Sequence, residues 1–205
     1  MRLGFLKTFL LITLTLGAHA EPTGPLSLDA NACQAAIATL PHPPVLRAEF
    51  TQQKLLPDIA KPIEASGELI VADKLGVILK TLRPDFARST RVIPLVSNNT
   101  NPGNLESRIN LIVQSILSGE FSSVSNFFNA KGTRTGSRLT ILLTPKSPQV
   151  AQAISQISLT FETYLNEIVV SDTSGGYLRF NFSNYSSAPP LSPEELKNFS
   201  PTNSR

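Results

Sequence analysis

Few residues in this 205-residue chain could do acid-base, nucleophilic or metal chemistry, and their spacing assembles none of the usual sites. Of two histidines, His19 lies in an N-terminal segment that reads as a leader. His42 sits in Pro41-His42-Pro43-Pro44, the setting of a solvated turn rather than of a base. One remaining histidine and one thiol, Cys33, make no three- or four-ligand zinc site without carboxylates at helical spacing, and none are so arranged. The chain contains neither a Gly-x-Ser-x-Gly elbow nor a glycine-rich phosphate cradle. Glu49, Glu64, Glu68, Glu162 and Glu167 fall mainly on the polar faces of strand-like segments. Glu49 and Glu68 could face each other across two strands, with nothing nearby to shift a pKa toward acid-base work. These residues imply a protein that is not an enzyme and needs neither cofactor nor metal.

What the residue types can do is hold hydrocarbon. From Leu46 to Pro84 the sequence reads as three consecutive antiparallel strands with apolar faces on one side: Leu46, Ala48 and Phe50, then Leu69 and Val71, then Val77 and Leu79. A loop from Pro57 to Pro62 separates the first two. Ala65 to Ala72 and Gly76 to Leu82 form a hairpin around Asp73-Lys74-Leu75-Gly76. Phe86 to Leu95 reads as a fourth strand with Arg88 and Arg91 on opposite faces, and Asn98 to Asn104 as a loop.

Helices flank these strands. Glu21 to Ser27 is Pro/Gly-rich and loose. Leu28 to Leu40 reads as a helix capped by Asp29, with Cys33 as a small buried hydrophobe. Leu105 to Leu117 carries the best amphipathic pattern, with Leu105, Ile109, Ile112, Val113, Ile116 and Leu117 in one stripe and Gly119 as its stop. Phe121 to Phe128 reads as a second helix over the same surface. The last third is β: Leu139 to Leu143, Ile157 to Phe161, Glu167 to Val170 and, after Ser174-Gly175-Gly176, Tyr177 to Tyr185. Pro148 to Ala153 reads as one helical turn, and Ser192-Pro193-Glu194-Glu195 as a capped helix start.

Composition bounds the rest. Arg2 and Lys7, the apolar run Phe9 to Leu16 and Ala18-His19-Ala20 form a secretory signal, so residues 1–20 are read as a signal peptide cleaved after Ala20 and residues 21–205 as a single exported domain. The leader takes two positive charges and no acid with it, lowering the formal charge from +3 to +1. A nearly neutral exported domain lacks the clustered cations that nucleic acid requires. A single cysteine allows no internal disulfide, so the fold rests on packing.

Phe50-Thr51-Gln52-Gln53-Lys54, a loop, Ser66-Gly67-Glu68-Leu69 and a hairpin ending at Pro84 together resemble the opening of LolA, the periplasmic carrier of outer-membrane lipoproteins. Leu117-Ser118-Gly119-Glu120 before Phe127-Phe128, Leu142-Leu143-Thr144-Pro145, and Leu191-Ser192-Pro193-Glu194-Glu195 look like a divergent branch of that family. The resemblance implies a mainly β (α+β) fold, an incomplete antiparallel β-barrel with helices as a lid over an apolar cavity for acyl chains. Counted from Gly67, the family's lid-controlling arginine falls on Asp73, beside Lys74, and its aromatic cavity positions fall on Val77 and Leu79. The family's Asp-Gly hairpin is replaced by the Asn98 to Asn104 loop.

Resemblance and periodicity together lead to an expected periplasmic, monomeric carrier of the acyl chains of a lipoprotein, glycolipid or other lipid. It would be loaded by an inner-membrane exporter and emptied at an outer-membrane acceptor. The expected cavity lining is Phe50, Leu69, Val71, Val77, Leu79, Ile112, Val113, Ile116, Ile141, Leu159 and Phe161. The alternative is a non-carrier sensor or adaptor that uses the same sheet to bind a lipoprotein or a membrane-protein partner.

Overall fold

The computed structural model describes residues 24–94, 115–116 and 121–199. Ten strands form one sheet among the described residues. They are β1 (Leu26–Leu28), β2 (Val45–Leu55), β3 (Ile63–Ala72), β4 (Gly76–Arg83), β5 (Ser89–Pro94), β6 (Phe128–Thr135), β7 (Arg138–Pro145), β8 (Ile154–Phe161), β9 (Leu165–Asp172) and β10 (Tyr177–Ser186). Every neighbouring pair is antiparallel, in the order β1-β6-β7-β8-β9-β10-β2-β3-β4-β5. The last strand thus pairs with β2, joining the two halves of the chain inside the sheet, and β1 and β5 stand at its edges.

The sheet is apolar on one face. Flat, ten strands would spread over about 43 Å and leave such a face to water, yet its residues from Ile93 on β5 to Phe128 on β6 are buried. The sheet therefore curls around its apolar side without closing, as an incomplete antiparallel barrel. Helix α1 (Ala30–Ala38) adds Cys33 and Ile37 to the cluster. Ile116, one of two described residues of a helical segment, adds its side chain, as do Val124 of α2 (Ser122–Ser125) and Val150 of α3 (Pro148–Ala151). Side-chain oxygens start two of these helices. Asp29 accepts from the Ala32 N–H at 2.8 Å, and Ser147 from the Val150 N–H at 3.2 Å.

Several expected boundaries move. Leu28, expected to open the first helix, ends β1, and Leu26 to Leu28 pair with Gly132 to Arg134 instead of lying loose. Asp29 caps from outside the helix, so a residue before it is free to be extended. The fourth strand begins at Ser89 rather than Phe86, because Asp85–Ala87 turn as a 3-10 helix after Pro84 and Arg88 closes that turn. Phe121 to Phe128 is not one helix: α2 spans a single turn and Phe128 already belongs to β6. Strand β6 had no apolar alternation to announce it, since its core-facing positions are Phe128, Ala130 and Gly132. A Cβ at Gly132 would lie 2.6 Å from the Cys33 sulfur, so the small residues there make room for α1. The leader, the Asn98 to Asn104 loop and most of Leu105 to Leu117, including Ile112 and Val113, lie outside the described residues.

The opposite face of the sheet carries a polar latch. Arg47 points away from the core, and α4 (Pro193–Phe199) folds back to meet it. The Glu195 carboxylate receives both Arg47 terminal nitrogens, at 3.0 and 2.8 Å, and Lys80 Nζ lies 3.5 Å away. Arg47 Nε and Nη2 donate to the carbonyls of Pro189 and Pro190. Ser192 and Glu195 close a reciprocal capping box: Ser192 N–H donates to the carboxylate at 2.8 Å, and Glu195 N–H to the Ser192 hydroxyl at 3.2 Å. On this same face Ile70 and Ile78, paired across β3 and β4, are buried.

The Arg47 hydrogen bonds, aided by the Ser192 N–H and Lys80, hold the Glu195 carboxyl down at about 2, against an ordinary 4.5. A depressed carboxyl stabilises the folded state above the unfolded value, and that contribution is lost as pH falls through the folded one. Acidification from pH 4.5 toward 2 is therefore expected to free the C-terminal segment, read as amide exchange at Glu194 to Phe199. Glu195→Gln should free it at neutral pH and lower stability by about 2 kcal/mol, because the half-buried Arg47 loses its carboxylate. Unchanged exchange in that variant would refute the latch.

Candidate functional site

Register places the core-facing residues in rows that run across the strands. One row follows Gly132, Ile141, Leu159, Ile168, Phe180, Gln52 and Ala65 through seven strands. The next toward one end of the sheet follows Leu143, Ile157, Val170, Leu178, Lys54 and Ile63. On the other side lie Phe182, Phe50 and Gly67, then Ala48, Leu69 and Leu79, then Leu46, Val71, Val77 and Ile93. The three-strand stretch from Leu46 to Pro84 supplies about half of this surface, with Leu46, Ala48, Phe50, Leu69, Val71, Val77 and Leu79 on one side as the alternation predicts, and Ile70 and Ile78 buried on the other.

Of the expected lining residues, Phe50, Leu69, Val71, Val77, Ile116, Ile141, Leu159 and Phe161 are buried in one cluster, and Leu79 packs half-buried against it. The structure brings these nine together. Sequence reading passed over residues of equal standing: Ile168 and Val170 on β9, Phe182 on β10, and Leu139 and Leu143 on β7. Their alternation carries the same signal, weakened on β8 and β9 by register shifts at Ile154/Gln156 and Thr160/Phe161.

Aromatic packing forms the middle of the face. The Phe50 and Phe180 rings are tilted at 60° with centroids 5.8 Å apart, and Phe180 stacks along its own strand on Phe182 at 6.0 Å. Gly67, opposite Phe50, has a steric reason to be glycine. A Cβ there would come within 1.8 Å of the Lys80 carbonyl oxygen and 3.0 Å of the Phe50 ring, where a register shift brings β3 and β4 close together.

Two polar side chains packed against this cluster, Cys33 and Tyr185, have local partners. Burial raises the Cys33 thiol pKa, leaving a protonated thiol rather than a nucleophilic thiolate. The Tyr185 hydroxyl donates to the Leu165 carbonyl, its ring stacks on Tyr164 at 4.7 Å, and burial raises its pKa. Glu49 and Glu68 do face each other on the outer side. Glu49 accepts from Asn184 at 2.8 Å and Glu68 lies 4.0 Å from Lys80, an ordinary surface arrangement. Among the described residues no three His, Cys, Asp or Glu side chains could hold a metal ion together. His42 is exposed.

Asp73, where the resemblance puts an arginine, lies in the exposed β3–β4 turn, its N–H bonded to the Pro44 carbonyl at 2.9 Å. Lys74 beside it has a φ of +61°.

No protein-family model matches the chain, and no curated protein matches it. Among solved structures it is similar to a LolA superfamily protein from Nitrosomonas europaea, at 9% identity over 82% of this chain and 96% of that one, with a TM-score of 0.44. It is also similar to a DUF1329 family protein from Desulfovibrio piger, at 10% identity over 78% of this chain and 92% of that one, with a TM-score of 0.43.

Because the space at Gly67 is closed by backbone, Gly67→Ala is expected to force β3 from β4 and cost about 3 kcal/mol, as overpacking does. Urea denaturation should show a lower midpoint at unchanged slope. Gly136→Ala is the control for a glycine with open space around it, where only the strain of its φ of +58° is at stake.

Proposed function

We propose that this chain is a divergent LolA-like periplasmic carrier, which shields the acyl chains of a lipoprotein or lipid against the core face of its sheet during passage toward the outer membrane. The observation that carries the reading is a core-facing row across seven strands of an unclosed sheet, free of polar side chains but for Gln52, with half-buried Phe180 in it and half-buried Leu178 and Leu79 in the rows on either side. A closed barrel or a sandwich would finish such a face with its own strands; this sheet ends in two edges, β1 and β5, and the carrier reading has the guest enter between them. The motifs from Phe50 to Lys54, from Ser66 to Leu69 and from Leu191 to Glu195, in that order, support the same reading.

The energetics suit it. Hydrocarbon in water costs about 0.8 kcal/mol per CH₂, so a chain of about sixteen carbons needs a shield worth on the order of 10 kcal/mol. Aliphatic and phenyl side chains supply that by contact alone, with no polar precision and no catalytic group. Phe50, Leu69, Val71, Val77, Leu79, Ile112, Val113, Ile116, Ile141, Leu159 and Phe161 are the proposed lining. Among the described residues, no helix is long and apolar enough to cross a membrane.

Asp73 in place of the family's arginine favours a second reading, an adaptor that holds a lipidated partner without releasing it. Transfer of a loaded lipid to acceptor vesicles by the purified protein separates the two, since only a carrier delivers.

The carrier reading predicts lipid bound to protein extracted from the periplasm, seen by native mass spectrometry, and a higher melting temperature before delipidation than after. It also predicts uptake of a fluorescent acyl probe, weakened about tenfold or more by Leu159→Asp, which places a charge in the centre of the row. Protein that carries no lipid and takes up no probe would refute it.

A further inference from the structure

The core face is apolar except toward one end, and there its polarity is graded. In the row of Phe50 and Phe182 both rings are buried. One row outward, Phe180 is half-buried beside half-buried Gln52. A further row outward, Lys54 is exposed between Leu178 on β10 and Ile63 on β3, the latter 53% accessible. Pairing is continuous from Val45 to Lys54 against β3 and from Tyr177 to Ser183 against β10, so Lys54 shares the side of Phe50 and not that of Glu49.

The charges around Lys54 leave its cation available. Glu64 stands on the other face, where it accepts from Gln53 at 3.0 Å. Asp172, at the same end, spends one carboxylate oxygen on the Ser174 N–H, the Ser174 hydroxyl and the Gly176 N–H, each at 2.8 Å. Asp58 lies in the loop that follows β2. Among the described residues no carboxylate pairs with Lys54.

We infer that the carrier of the preceding section selects amphiphiles with an anionic head: the chain lies along the Phe50, Phe180 and Leu178 rows, and Lys54 receives a carboxylate or phosphate at its end. This rests on the carrier reading and narrows its cargo. An acyl chain laid along these three rows ends its apolar contact at the row of Leu178 and Lys54, four residues beyond Phe50 and about 13 Å along a strand. That is where an ammonium on a four-carbon stem can reach an oxyanion while its methylenes cover apolar surface. A neutral head group gains nothing from Lys54.

The test measures binding of three fluorescent probes of one chain length to the full mature chain: a fatty acid, a phosphatidylglycerol and a neutral diacylglycerol. Both anionic probes, or one of them, should bind about tenfold tighter than the diacylglycerol, the size expected of one charge-assisted contact. The preference should shrink as salt is raised from 0.05 to 0.5 M on the order of a Debye-length change of threefold. Which anionic probe binds more tightly tells fatty acid from phospholipid. Lys54→Glu should bring the ratio of anionic to neutral affinity to one or below, and Lys54→Arg should preserve it, with melting curves to show that both variants fold. Equal affinity for all three probes, or a ratio untouched by Lys54→Glu, overturns the inference and leaves the carrier reading standing. Uptake of none of the three overturns both.

Discussion

A ten-stranded sheet that is apolar on one face and does not close must find cover for that face, and this requirement shapes the rest of the molecule. Curling shields the apolar residues from β5 to β6, but it leaves the two edge strands, β1 and β5, unpaired with each other. Short helical pieces fill part of the difference: Cys33 and Ile37 from α1, Ile116, and Val124 reach the same cluster. The close fit of α1 on β6 needs Gly132, just as the close approach of β4 to β3 needs Gly67. Two glycines thus fix how tightly the apolar side can be wrapped at two distant places.

The two sides of the sheet are stabilised by different physics. On the core side, burial of phenyl and branched aliphatic groups is non-directional and tolerates changes of partner. On the outer side, Arg47, Glu195, Ser192 and Lys80 form a directional, partly dehydrated network in which each donor has a named acceptor. Such a network fixes where the C-terminal segment lies without restricting the side chains of the apolar face. Packing on the core face and fastening of the C-terminal segment on the outer face are therefore independent of each other.

Much of this was legible before any coordinates. Period-two alternation located β2, β3, β4, β7 and β8, because half-buried antiparallel strands expose every second side chain, and the Ser174-Gly175-Gly176 turn located β9 and β10. Proline and serine at 192–193 placed α4. What stayed hidden has physical reasons. Strand β6 offers alanine and glycine to the core where a pattern search expects bulk, because a helix is packed there. Strand β1 is three residues long, too short for a period. Phe86 is apolar in type but 91% accessible, at the tip of a turn that resembles a strand continued. The long-range pairing of Arg47 with Glu195 cannot be read from one sequence, since charge and spacing say nothing of which distant residue returns to which strand. At the candidate site the residue types were legible, while the grading from Phe50 through Gln52 to Lys54 became visible only once the register with β10 was known.

The seam between β2 and β10 has a consequence for how the molecule is made. Glu49 and Asn184, in contact across it, are 135 positions apart. The middle of the sheet cannot be completed until nearly the whole polypeptide is available, and closing so long a loop is slow. Until its final hairpin is made, a growing chain holds two separate sets of strands, β2 to β5 and β6 to β8, with no strand between them to join the halves.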